Sequence, residues 1–76
     1  MLWKGKAMHT RIGNYIHEKR IEKHVRLKDV SERLHITVTN VHQKEKGLRK
    51  FTLEEVVILS DMLDFSLDEM KKLIKE

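Results

Sequence analysis

At 76 residues the chain makes one domain, and a chain this short buries only about 60 % of the surface its unfolded form exposes. It has no cysteine, which excludes disulfides and thiolate metal sites, and no apolar run near the roughly 20 residues needed to span a bilayer. The net charge of +4 is unevenly placed: residues 1–50 hold 13 Lys/Arg and 5 Asp/Glu, whereas residues 51–76 hold 3 and 7, so a polyanionic partner is expected on the first part only.

The absence of proline and the presence of only three glycines favour an all-α chain with short turns. Residues 1–9 show no period and read as an N-terminal extension ahead of a domain over 10–76. Trp3 and Met8 could pack on the body, and Lys4 and Lys6 could reach phosphate as a flexible arm; a disordered extension is the alternative. The lysines are not followed by the apolar core of a secretory signal. Lack of cysteine fits a reducing, cytoplasmic setting.

Helical spacing of Ile12, Tyr15 and Ile16 predicts a first helix over 11–23 with Thr10 as N-cap. Gly13 inside it costs roughly 1 kcal/mol relative to alanine. Val30 and Leu34 mark a second helix over 27–34, with Asp29 at its positive end. A third helix is expected over 38–46. Thr37 can cap it by accepting from a free amide, and Gly47 can end it in a left-handed conformation. After the basic loop Leu48-Arg49-Lys50, Thr52-x-x-Glu55 has capping-box spacing and opens a fourth helix. Val56, Leu59 and Leu63 form its stripe, widened by Val57, Ile58 and Met62. Ser66-x-x-Glu69 repeats the box for a fifth helix. Phe65 and Met70 have staple spacing there, and Leu67, Met70, Leu73 and Ile74 make the apolar face.

Residues 25–47, VRLKDVSERLHITVTNVHQKEKG, carry the most information. Two short helices joined by a tight corner have the spacing of a helix-turn-helix, whose second helix can enter a DNA major groove. Val30, Leu34, Ile36, Thr37, Val41, Glu45 and Gly47 fall on the marked positions of the phage-repressor and Cro-like (XRE-type) family, which this stretch resembles. The resemblance runs from about Ile12 to about Ile74. It implies a compact five-helix, lambda-repressor-like DNA-binding domain acting as a sequence-specific transcriptional regulator on double-stranded DNA.

Several roles follow from that resemblance. Arg20 and Glu45 match a charged pair that joins the first and third helices, and a guanidinium can bond a carboxylate through two parallel hydrogen bonds. Val38, Thr39, Asn40, His42 and Gln43 lie on the side of the third helix expected to reach DNA bases. Gln43 suits adenine, and the methyl groups of Val38 and Thr39 suit thymine. Arg26, Lys28, Lys44, Lys46, Arg49 and Lys50 are the candidate phosphate contacts, which set affinity and register. A homodimer is expected through Phe65, Leu67, Met70, Leu73 and Ile74; the alternative is that these residues only close the monomer core.

The chain departs from the family pattern at five positions. His24 and His35 stand where glycine usually ends a helix. Arg26 replaces the usual cap of the second helix, and Leu27 replaces a phosphate-binding glutamine. Lys44 occupies a usually apolar position, where its stem can lie on the core while the ammonium reaches water or phosphate. These changes leave open a second reading, a protein–protein interaction module of antirepressor or toxin-partner type, with Leu27 and Phe51 as exposed anchors. Histidines at 9, 17, 24, 35 and 42 lack the i, i+4 spacing of a helical metal pair. No phosphate-binding glycine loop or activated nucleophile is present, so neither an enzyme nor a cofactor is expected.

Overall fold

The computed structural model describes residues 8–75; the expectations for Trp3, Lys4, Lys6 and the Met8 side chain lie outside the described residues. Five helices follow one another: α1 (Met8–Glu22), α2 (Leu27–Leu34), α3 (Val38–Glu45), α4 (Leu53–Met62) and α5 (Leu67–Lys75). The architecture is all-α. α1 packs against α3 and α5, while α2 packs against α3 and α4.

The described helix ends share one device. The N–H groups of Val25, Ile36, Leu48 and Phe65 each reach back five residues, to the carbonyls of Arg20, Ser31, Gln43 and Ser60. The residue before each is left-handed: His24, His35, Gly47 and Asp64. This geometry satisfies carbonyls that the end of a helix leaves free. Three of these corners use a residue with a side chain, at some strain, and all three are solvent-exposed. At Gly47 there is no such room, because a Cβ would lie 2.5 Å from Thr10 Oγ1. Asp64 is one of these corners, and aspartate is among the types that tolerate the conformation.

Helix starts follow local chemistry in most cases. Thr37 Oγ1 accepts from the Asn40 amide at 3.0 Å. Thr52 and Glu55 form the reciprocal box at 3.1 and 3.0 Å. At α2 only half a box exists, Arg26 N–H donating to Asp29 at 3.2 Å, since a guanidinium has no acceptor to return. Two expectations are corrected. The chain is already helical at Met8, so Thr10 lies inside α1 and faces Gly47 rather than capping. At α5, Ser66 Oγ accepts from Asp68 N–H at 3.0 Å, but Glu69 turns to the Tyr15 hydroxyl instead of closing a box.

The core comprises Ile16, Val30, Leu34, Val41, Val56, Leu59, Leu63, Phe65 and Met70. Tyr15 meets Phe65 edge-on, with ring centroids 5.3 Å apart. Val57, expected to widen the α4 stripe, is exposed instead. Arg11 Nη1 donates to the Leu73 carbonyl at 2.9 Å and, with the Tyr15–Glu69 bond, ties α5 to α1.

Burial, and then the neighbouring Glu69 carboxylate, push the Tyr15 hydroxyl far above its ordinary range. The protonated form is therefore favoured in the folded state. Its contribution is complete below the unfolded value of about 10 and is lost as pH rises past it. Between about pH 9 and 11.5 the melting temperature should fall more steeply for the native chain than for Tyr15→Phe. Parallel curves in thermal melts would remove this role.

Candidate nucleic-acid interface

The α2–α3 pair is oriented by charge as well as by apolar contact. Arg20 on α1 donates to Glu45 at the end of α3 through Nε to Oε2 at 2.7 Å and Nη2 to Oε1 at 3.2 Å. Its Nη1 donates to the Val25 carbonyl at 3.0 Å, at the α1–α2 corner. One guanidinium thus fixes α3 and the start of α2 together. The two side chains are 9 % and 3 % exposed, so neither charge has water to fall back on. His17 Nδ1 lies 2.9 Å from Glu45 Oε1, completing the set. In the sequence His17 stands out only as one of five histidines without metal-pair spacing. Its position one turn before Arg20 was the available signal, since residues three apart share a helix face.

Close approach of backbones supports the same contact. A Cβ at Gly13 would lie 2.5 Å from the Lys44 carbonyl oxygen and 2.6 Å from that of Glu45. The glycine expected to weaken α1 is where α1 crosses the end of α3.

With Val41 fully buried, α3 turns its opposite side outward. Val38, Thr39 and His42 are exposed, and Gln43 is partly so. Gln43 Oε1 accepts from Arg49 Nε at 2.7 Å, which draws the loop arginine against the helix. Asn40 does not join this edge. It is half-buried, and its Oδ1 is enclosed with no hydrogen-bond partner among the described residues.

Of the six cations expected at phosphate, Arg26, Lys28, Lys46, Arg49 and Lys50 are exposed. Lys44 is a correction. Its side chain is 9 % exposed, and its Nζ bonds Glu55 at 2.5 Å while lying 5.8 Å from the Phe51 ring centroid. A buried ammonium needs a partner, and the α4 carboxylate is nearer than solvent. Glu55 therefore serves both the α4 cap and α3, a second role the capping pattern alone did not reveal.

The acidic part of the chain leaves the α3 edge open. α5 packs on α1, and Glu55 is the acidic-half group paired with α3 among the described residues. Leu27 and Phe51 are half-buried against the core, so they are not the exposed anchors expected of an interaction module. Phe65 and Met70 are core residues and Leu73 packs beside them, so of the expected dimer set only Leu67 and Ile74 stand exposed. These two line an apolar groove with Ile12, Phe51 and Leu53. No described helix is long and apolar enough to cross a membrane.

The sequence model of the helix-turn-helix family matches residues 16–70, most of the chain. Comparison with curated proteins found no match. Comparison with solved structures found none either.

Proposed function

The chain belongs to the helix-turn-helix family of the phage-repressor and Cro type, and from that premise we propose that it is a sequence-specific double-stranded DNA-binding transcriptional regulator. α3 enters the major groove. Val38, Thr39, His42 and Gln43 meet base edges while Arg26, Lys28, Lys46, Arg49 and Lys50 meet the two backbones. One observation carries this reading: an uncovered α3 edge, flanked by exposed cations and held in place by a buried ion pair. Such a role belongs in the cytoplasm with the genome.

One module makes few base contacts, and we propose that a homodimer on a two-fold site supplies the rest. The apolar groove of Ile12, Phe51, Leu53, Leu67 and Ile74 is its surface, and Leu53 is 77 % exposed there. Selection from pooled random duplexes at moderate salt tests the reading. Enrichment of one motif supports a regulator; unselective, purely salt-sensitive binding refutes it. A strictly monomeric solution mass, with and without the selected duplex, refutes the dimer.

The corrected role of Lys44 gives a sharper check. Lys50→Ala should lower the salt slope of binding by about one unit, whereas Lys44→Met should leave it unchanged. Slopes measured on one duplex decide between the two lysines; a drop for Lys44→Met would return that residue to the phosphate set.

A further inference from the structure

Beside α3, on its α1 side, Asn14, His17, His42, Glu45 and Lys46 line a cleft of about 150 Å³. It sits on the shoulder of the proposed reading helix, where His42 and Lys46 succeed each other by one turn. We propose that this cleft holds one phosphate-type oxyanion, a phosphate of the DNA backbone, and that His17 takes up a proton when it does. The proposal rests on the DNA-binding reading and adds a specific ligand site and a proton to it.

The chemistry starts from Glu45. A carboxylate only accepts, so the 2.9 Å contact requires His17 Nδ1 to carry hydrogen. The 3.3 Å approach of Arg20 Nη2 to that same nitrogen is then a meeting of two donors that share Glu45. In the neutral ring this tautomer leaves Nε2 with a lone pair, which repels an oxyanion. Protonation converts Nε2 to a donor. The His17 side chain is 49 % exposed and lines the cleft, and no hydrogen-bond partner for Nε2 is found among the described residues.

The charges facing the imidazole are Glu45, His42 and Lys46 from α3, and Arg20 from its own helix. α5, the other helix packed on α1, engages Arg11 and Tyr15, and among the described residues gives His17 no ion-pair partner. Arg20 neutralises Glu45, so the wall of the cleft is not a bare anion. An oxyanion there meets Lys46, the Asn14 amide, the N–H that the His42 ring already carries and, once His17 is protonated, its Nε2. Oxyanion and proton therefore enter together, so binding through this cleft is linked to pH.

The test uses the full chain and its selected duplex, at pH 6 and pH 8 and constant ionic strength. His17→Gln keeps a donor for Glu45 but cannot ionise, and its melting temperature is measured alongside. Native affinity should rise several-fold on acidification, bounded by about tenfold per pH unit for one proton. His17→Gln should lose most of that rise, and at pH 6 its salt slope should be smaller by about one unit. His42→Gln should bind more weakly yet retain the pH response. Equal pH response in the native chain and His17→Gln overturns the proton linkage.

A second arm omits DNA and titrates inorganic phosphate while the His17 ring nitrogens are followed by NMR, with chloride at matched ionic strength as control. A saturable shift supports an oxyanion site. A shift with no pH linkage in DNA binding overturns the DNA backbone as its source and leaves a free oxyanion. No shift and no linkage overturn the site. If the native chain selects no duplex, the regulator reading fails, and the phosphate arm alone decides the cleft.

Discussion

Replacing Glu45 with alanine is expected to lower unfolding free energy by about 3–5 kcal/mol, against a few tenths for Glu54→Ala. The two glutamates differ in surroundings. Glu54 is exposed in the first turn of α4. Glu45 accepts two hydrogen bonds from Arg20 and faces His17, and its side chain is 3 % exposed. Removing it leaves a buried guanidinium without its counter-charge, and that uncompensated charge accounts for most of the loss. The pair itself need add little net stability, because its desolvation offsets its attraction. For 76 residues the whole stability is about 4–11 kcal/mol, so the loss removes from about a quarter to all of it. Glu45→Gln keeps one acceptor and should fall between. Urea midpoints report the difference, and equal midpoints for Glu45→Ala and Glu54→Ala would sink the locking role.

Gly13→Ala is a test of sign. Helix propensity alone makes the substitution stabilising by about 1 kcal/mol. The tertiary contact opposes it, because the added methyl would stand 2.5 and 2.6 Å from two backbone carbonyl oxygens. Those atoms belong to α3 and cannot swing aside as a side-chain tip can. The helices must separate, and overpacking against backbone atoms falls at the upper end of its usual range, about 2–3 kcal/mol, from which the propensity gain is subtracted. A net destabilisation of about 1–2 kcal/mol follows, a melting temperature lower by roughly 4–16 °C for a domain of this size. The displacement also moves the Arg20–Glu45 pair, so affinity for the selected duplex should fall with stability. A Gly13→Ala protein that melts higher than the native chain would show that α1 and α3 do not approach so closely.

Much of the fold was legible because helix ends are local chemistry. α2 and the starts of α3 and α4 depend on backbone groups within five residues of each other, whereas the left-handed corners at His24 and His35 were marked only by the family's glycine positions. The Thr37 and Thr52 caps need only a hydroxyl beside free amides. The Arg20–Glu45 pair spans 25 residues and was reached through the family pattern, not through any local rule. Among the candidate base contacts, the outward position of Thr39 follows from helical period once Val41 is taken as inward, whereas Val38, three residues before Val41 and so on its side of the helix, is exposed because it stands in the first turn of α3.

What only the tertiary structure decided are the positions whose partner lies on another helix. Glu69 has capping-box spacing, yet Tyr15 is there to receive it. Lys44 is long enough for solvent, yet Glu55 stands closer. Phe65 and Met70 are apolar enough for an interface but close the monomer core, and Asn40 is polar yet half enclosed. The sequence by itself determined where α2, α3 and α4 start and most of the apolar faces, since those are set by hydrogen bonds and spacing along the chain. Which of two available partners each long or polar side chain takes was decided by packing, because the energies differ by little and only distance in space separates them.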